Sequence, residues 1–309
     1  MQLLAVNYHY IRDVNPSKGI YSRSIDEMAF QLDKLGQYYD FISQEELLKI
    51  VRSKKYPKGN YCVITFDDNL KEQMKAYEYL EKNSIPAIFF STTLPYLAKD
   101  AHDVHKLHHI YTSYSDNDIA EYLEKKFKFY DFQYNTDDLE EEYRYDTDLK
   151  KKIKFFLNFI LPEKDRRQVV NSLFNDTTVS SHSFIKNLYM GKDDLRLLAN
   201  NNLLGTHTHT HLPLATLAER MIKDEIGISL DFLSKLTGKP IKAISYPFGG
   251  PGAVNNMVSD VAKEMGLVLG FTMNRGMNID SDFENSLLLK RVDTNDAPGG
   301  KLESLVYCP

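Results

Sequence analysis

Thr65-Phe66-Asp67-Asp68 closes an apolar run, and Gly205-Thr206-His207-Thr208-His209-Thr210-His211 stands far downstream of it. Two adjacent carboxylates cannot both cap the helix that follows, and like charges this close repel unless a cation neutralises one. A cation held by one acid, with the other left free, resolves the conflict. His207 and His211 lie four residues apart, a spacing that lets two imidazoles share an ion from a helical turn or a folded loop. The alternative is a strand with His207, His209 and His211 on one polar face. The lack of Ile, Val or aromatic residues between them, and the break at Leu212-Pro213, count against it. The parts suit hydrolysis by water activated at one divalent metal ion, with Asp68, His207 and His211 as ligands and Asp67 as the base. Zinc is the first expectation for such a set; cobalt, nickel and iron(II) also suit it. His209 is a weaker ligand candidate, and Thr208 and Thr210 are candidates to orient the ligands through hydrogen bonds.

These residues need a scaffold that brings distant segments together. Leu3 to Tyr8 reads as a buried strand, and Ser24-Ile25-Asp26-Glu27 and Ser43-Gln44-Glu45-Glu46 are capping boxes that open two helices. Tyr61 to Phe66 is a strand, Leu70 to Leu80 is helical, and Ala87 to Phe90 is another buried strand. After a break the alternation resumes: a helix at 193–198, a strand at Leu203 to Thr206, and a helix from Leu217 to Leu236 stopped by Gly238. A strand from Ile241 to Tyr246 ends in the rigid turn Pro247 to Gly252; a helix to Lys263 and a strand from Leu267 to Thr272 follow. About seven strand-like elements in α/β alternation predict a barrel, with polar side chains at the carboxyl ends of its strands forming the site. Between about residues 97 and 190 the rhythm changes. A structureless loop of that length is implausible, so a largely helical insertion is expected within a single domain spanning 1–309.

Composition narrows the function classes. A formal charge of -5 and a pI near 6.0 leave no basic footprint, so nucleic acid is not an expected partner. No run approaches the ~18 apolar residues of a membrane span. The N-terminus lacks a basic segment followed by a long apolar one, so a cytoplasmic location is expected. Cys62 and Cys308 do not form a disulfide framework, and Cys62 sits in an apolar strand as a small core residue.

Thr65-Phe66-Asp67-Asp68 and His207-Thr208-His209-Thr210-His211 resemble the first two motifs of the polysaccharide deacetylases, the NodB-homology or carbohydrate esterase family four group. Ser245-Tyr246-Pro247-Phe248-Gly249 resembles the third motif in its Tyr-Pro-Phe-Gly variant. Phe271 to Gly276 and Leu289-Lys290-Arg291-Val292 resemble the terminal segments of that variant. The resemblance implies an α/β fold, a distorted (β/α)7 barrel, with a metal-dependent N-deacetylase site. Carried over by position, Asp67 is the general base, and Asp68, His207 and His211 bind the metal. Tyr246, Pro247 and Phe248 form the substrate and oxyanion segment.

Three features depart from the family pattern. Many members supply the acid that protonates the leaving amine from a His near the C-terminus, yet no His follows His211. They also orient the base with an Arg in the third motif, where this chain has Ser245, and the Trp of the fourth motif is missing. The acid must come from elsewhere, or Asp67 must return its own proton. His9, in Asn7-Tyr8-His9-Tyr10 after the first strand, is the preferred acid and His105 the second choice. His105 and His109 share a helical face; a polar rim of the insertion is the preferred reading of that pair over a second metal site. Lys106 is a candidate contact for an anionic part of the substrate.

The expected activity is removal of an acetyl group from an N-acetylated amino sugar, as a glycan, a lipid-linked sugar or a precursor used in surface polysaccharide synthesis. The alternatives are hydrolysis of another amide or an O-acyl ester at the same site, or a glycan- or metal-binding domain without turnover. Oligomeric state is not legible in the sequence.

Overall fold

A computed structural model describes residues 1–13, 20 and 22–300; Cys308 lies outside them. The strands are β1 (Gln2–Tyr8), β2 (Asp40–Phe41), β3 (Asn60–Phe66), β4 (Ala87–Ser91), β5 (Leu204–Thr206), β6 (Ala243–Ser245), β7 (Leu269–Phe271), β8 (Asn278–Ile279) and β9 (Val292–Asp293). They form one 9-stranded sheet in the order β7-β6-β5-β4-β3-β1-β8, with β2 added to β3 and β9 to β1. All neighbours are parallel except β1 and β8. The sheet curls into a half-barrel, and one C-terminal stretch bridges its two edges. Leu289 pairs with Phe271 of β7, while Val292 pairs with Val6 of β1. This is the expected distorted (β/α)7 architecture.

Helices α1 (Ile25–Leu35), α2 (Gln44–Ser53) and α3 (Gln73–Lys82) lie in the first half of the barrel. Both expected capping boxes are present: Ser24 Oγ accepts the Glu27 N–H at 3.1 Å, and Ser43 Oγ that of Glu46 at 3.2 Å. Each cap stabilises its helix by ~1 kcal/mol. Helix α3 starts at Gln73, not at Leu70 as the periodicity predicts, because the residues before it are committed elsewhere. Glu72 takes Arg12 at 2.6 Å, and the Gln73 amide holds the carbonyls of Asp67 and His9 at 2.6 and 2.9 Å. Neither Asp67 nor Asp68 caps this helix.

Between β4 and β5 the chain folds almost entirely into helices: α4 (Leu94–Leu97), α5 (Asp103–Ile110), α6 (Asp116–Phe127), α7 (Thr136–Tyr143), α8 (Asp148–Phe155), α9 (Glu163–Asn175) and α10 (Ser181–Leu188). They close over their own apolar cluster, which includes Ile110, Leu123, Phe129, Ile153, Phe156 and Phe174. The barrel then continues with α11 (Lys192–Asn200), α12 (Glu219–Thr237) and α13 (Asn256–Glu264). Gly238 ends α12 in the left-handed conformation, φ 69°, which glycine adopts without steric cost.

Alternation along the strands decides what faces inward. Leu3, Ala5 and Val63 belong to the cluster inside the curl with Ile88, Ala243 and Leu269. Leu4, Val6, Ile64 and Phe66 belong to the cluster under α1, α3 and α11. A period of two continues the inward series through Asn7 on β1, Thr65 and Asp67 from β3, and Ser245 on β6. The interior is thus apolar below and polar at the carboxyl ends of the strands, as buried parallel sheets with a site at that end require. Among the described residues, no helix is long and apolar enough to cross a membrane.

Candidate metal centre and active site

Asp67 and Asp68 leave β3 in different directions because the backbone reverses its handedness between them. The Asp67 N–H still extends the sheet, donating to Tyr8 O at 3.1 Å. Asp68 has φ 77° and Asn69 φ 45°, both in the left-handed region, which Asp and Asn enter more readily than other non-glycine residues. Asn69 is fixed there by its neighbours: its Oδ1 accepts from Thr92 N and Oγ1 at 2.9 Å, and its Nδ2 donates to Tyr96 Oη at 2.9 Å. His207 follows β5 directly, its N–H donating to Ser91 O at 2.8 Å. The chain after it forms a folded loop rather than a helical turn, with Thr208 at φ 65° and His211 at φ 62°.

The loop and the β3 end bring Asp68, His207 and His211 into one group whose ligating atoms lie within 4.8 Å of one another. Asp68 Oδ1 is 3.5 Å from His207 Nε2 and 3.3 Å from His211 Nε2. Two ligands about 2.1 Å from a tetrahedral ion are separated by about 3.4 Å, so both of these spacings leave room for a divalent ion between the groups. The hydrogen bonding agrees. Asp68 Oδ1 is buried and has no hydrogen-bond partner, an expensive state for a carboxylate oxygen unless a cation meets it. His207 Nδ1–H donates to Ser245 O at 2.7 Å, which leaves the Nε2 lone pair for a ligand role. Burial pushes the His207 imidazole down to about 4, so it is neutral at physiological pH. Burial opposes ionisation of Asp68, but His105 and His211 beside it hold its carboxyl well below the usual range. The chain therefore presents a site able to coordinate a divalent ion.

Asp67 is held by a different set of partners. Arg291 is fully buried and uses all of its N–H donors: Nε to Thr272 O at 3.0 Å, Nη1 to Thr65 Oγ1 and Asp67 Oδ1 at 3.2 and 3.1 Å, and Nη2 to Asp67 Oδ2 and Ser245 Oγ at 2.8 Å each. Asn7 Nδ2 adds a bond to Asp67 Oδ2 at 2.9 Å. Burial alone would raise the Asp67 carboxyl, but the Arg291 guanidinium and His207 outweigh it and hold it at about 2. The arginine missing from the third motif is thus present in space. It arrives from the segment that closes the barrel, and Ser245 accepts its remaining donor.

The site opens into a cavity of about 290 Å³. His9, Asp67, Asp68, His207 and His211 line it, with Tyr246 and Phe248. Pro247 is buried and is not one of the lining residues. The Tyr246 N–H is taken by Phe271 O at 3.1 Å, whereas the Phe248 N–H has no acceptor among the described residues. Phe248 has φ 63°, and its ring packs against His211 with centroids 5.1 Å apart. The insertion supplies much of the remaining wall through Leu107, His108, Tyr143, Asp146, Lys154 and Asn158.

Other histidines and Lys106 are placed differently from the sequence expectations. His209 turns away to Thr93 Oγ1 at 2.8 Å and does not belong to the metal group. Thr210 Oγ1 donates to Glu225 at 2.6 Å and orients the loop, not an imidazole. Lys106 is buried against Asp100 and Asn171 at 2.7 and 2.8 Å, outside the cavity. His105 and His109 diverge: His109 packs on Phe174 and Phe184, while His105 is only 1% exposed and lies 3.2 Å from Asp68. The polar-rim reading therefore fails for His105, because its helix packs onto the carboxyl end of the barrel.

Residues 164–270 match the family model described as polysaccharide deacetylase, a span that includes His207, His211 and Tyr246. Over that stretch the chain is similar to the polysaccharide deacetylases. No curated protein sequence matches it. Among solved structures it is similar to Streptococcus pyogenes deacetylase PplD in complex with acetate, at 17% identity and a TM-score of 0.59 over 100% of this chain and 99% of that one. It is also similar to IcaB from Ammonifex degensii, with 16% identity and TM-score 0.54 over 94% and 90% of the two chains. The deacetylase domain of BpsB from Bordetella bronchiseptica gives 14% identity and TM-score 0.55 over 94% and 95%. At these identities the likenesses establish the shared fold. The buried group of Asp68, His207 and His211 sits at the carboxyl end of that fold.

Proposed function

We propose that this chain is a metal-dependent hydrolase that removes the acetyl group from an N-acetylated amino sugar, with Zn2+ as the ion. The observation that carries the proposal is the division of labour between adjacent acids. Asp68 offers a bare oxygen to the His207 and His211 edge, while Asp67 is kept ionised beside it by Arg291 and Asn7. A binding-only site has no use for that second carboxylate. When bound, the ion supplies Lewis acidity that makes water a nucleophile near neutral pH and polarises the amide carbonyl.

The residues take the remaining tasks. Asp67 accepts the proton of the attacking water, and Arg291 holds its two oxygens so that the free lone pairs face the cavity. The carbonyl oxygen, as it gains charge, is met by the Phe248 N–H in the turn after Tyr246. Tyr246 and Phe248 form the apolar surface for the acetyl methyl. His9, on the β1 side of the same cavity, protonates the departing amine. The whole described chain serves as one catalytic domain, with the insertion as part of its cleft wall. Its substrate is a glycan, a lipid-linked sugar or a precursor for surface polysaccharide.

Acetate release from a panel of N-acetylated amino sugars tests the reading. Turnover should stop after chelation and return with Zn2+ or Co2+. Release of a different carboxylic acid from other amides or O-acyl esters, with no acetate from any N-acetyl sugar, would refute the substrate class.

A further inference from the structure

The two ends of the helical insertion meet at Asp68. His105, from α5 near the start, places Nε2 at 3.2 Å from Asp68 Oδ2. Tyr189, where the chain returns to the barrel, places Oη at 2.6 Å from His105 Nδ1. Tyr189 is itself fixed on both sides. It forms an antiparallel bridge with Leu70, flanked by Lys71 N to Leu188 O at 2.8 Å and Met190 N to Asn69 O at 2.9 Å. Its Oη also accepts the His102 N–H at 3.1 Å. Both side chains are buried, His105 at 1% and Tyr189 at 4% exposure.

The two oxygens of Asp68 therefore have separate surroundings. Oδ1 faces His207 and His211, and Oδ2 faces His105. His105 Nε2 approaches Oδ2 to 3.2 Å without an aligned hydrogen bond; a proton on Nε2 makes that contact attractive, whereas a bare nitrogen would set two lone pairs against each other. The single proton of a neutral His105 then sits on Nε2, and Nδ1 accepts from the Tyr189 hydroxyl. His105 lies outside the Asp68, His207 and His211 group.

We infer that His105, held by Tyr189, is a positioning residue that fixes Asp68 as a one-oxygen ligand, making the insertion part of the metal centre. Without that restraint Oδ2 is free to swing toward the ion and take a coordination position that water and substrate need. The inference rests on the reading of Asp68, His207 and His211 as a cation site. It adds a role for an element that the motifs do not include.

The test is Co2+ binding by the metal-free protein without substrate, followed by calorimetry and by the visible d–d absorption. Wild type should bind one Co2+ with the intense bands of a low-coordinate site. His105→Leu should bind roughly 10- to 100-fold more weakly, with weaker bands as the coordination number rises. His105→Gln, whose amide N–H reaches the same oxygen, should recover most of the affinity and the spectrum. Tyr189→Phe, which removes one atom and keeps the ring packing, should show a smaller loss in the same direction and carries the test if His105→Leu does not fold. Failure of wild type to bind Co2+ overturns the cation site and this inference together. Binding by wild type with unchanged affinity and spectrum in Tyr189→Phe and the folded His105 variants overturns the inference alone. Equal losses in His105→Leu and His105→Gln also overturn it, because the N–H would then not be what matters.

Discussion

Asp67 receives hydrogen bonds from Arg291 on both oxygens and from Asn7 on one, in a fully buried setting. Its carboxyl is depressed from the ordinary 3.8 to about 2. A carboxyl lowered on folding contributes stability that is complete above its unfolded value and lost as pH falls through its folded one. The contribution here is about 2 kcal/mol, present above pH ~4 and lost toward pH 2. Asp67→Asn should therefore lose less stability than wild type between pH 5 and pH 2, measured by urea unfolding. The same variant should keep its metal content while kcat falls by at least ~100-fold, since only the proton acceptor is gone. Undiminished turnover would reject Asp67 as the base. Arg291→Gln leaves Asp67 buried without its cation, so the carboxyl rises. The acid limb of the kcat/KM profile should then move to higher pH, with a stability loss of ~3–5 kcal/mol.

At the level of elements, the strand ends and the insertion are the parts to disturb. Gly205 sits in β5, two residues before His207. A methyl group there would collide with the Phe90 ring and come within 3.0 Å of Ala243 O. Gly205→Ala should lower stability by ~1–3 kcal/mol through overpacking, read as a drop in Tm. The insertion has its own core, in which Phe129 is fully buried against Phe132 and Phe156. Phe129→Ala should cost ~3–5 kcal/mol. Amide exchange should rise first in α6 and α8, before β1 and β3. Uniform acceleration across the sheet would show that insertion and barrel unfold as one unit.

Across the whole molecule, the insertion is tied to the barrel at both rims of the cavity. Asp296, beyond β9, takes Arg144 and Tyr145 from the insertion, the latter at 2.7 Å, and Arg275 at 3.4 Å. At the opposite rim His102 bonds Thr92 at 2.7 Å and Thr210 O at 3.2 Å. An ion that binds only the folded state should stabilise all of this together. Zn2+ at 100 times its Kd adds about 2.7 kcal/mol, so the Tm should rise with metal and fall back with chelator. A Tm unmoved by saturating Zn2+ would contradict a folded-state cation site.

The local grammar of this chain was open to reading. Alternating strands, the capping boxes at Ser24 and Ser43, the helix stop at Gly238 and the chemistry of Asp67, Asp68, His207 and His211 depend on neighbours a few residues away, which periodicity and side-chain type reveal. Arg291 carried only a faint signal, the second of two adjacent cations after Leu287-Leu288-Leu289, because its partners Thr65, Asp67 and Ser245 come from strands brought beside it by closure of the barrel. His105 and Tyr189 carried less still, being separated along the chain by most of the insertion. Sequence alone marked which groups have the chemistry to hold an ion and accept a proton. Only the tertiary structure decided which groups hold them in place, because a buried charge is stabilised by whatever lies within a few ångströms, and that proximity is set by folding rather than by spacing along the chain.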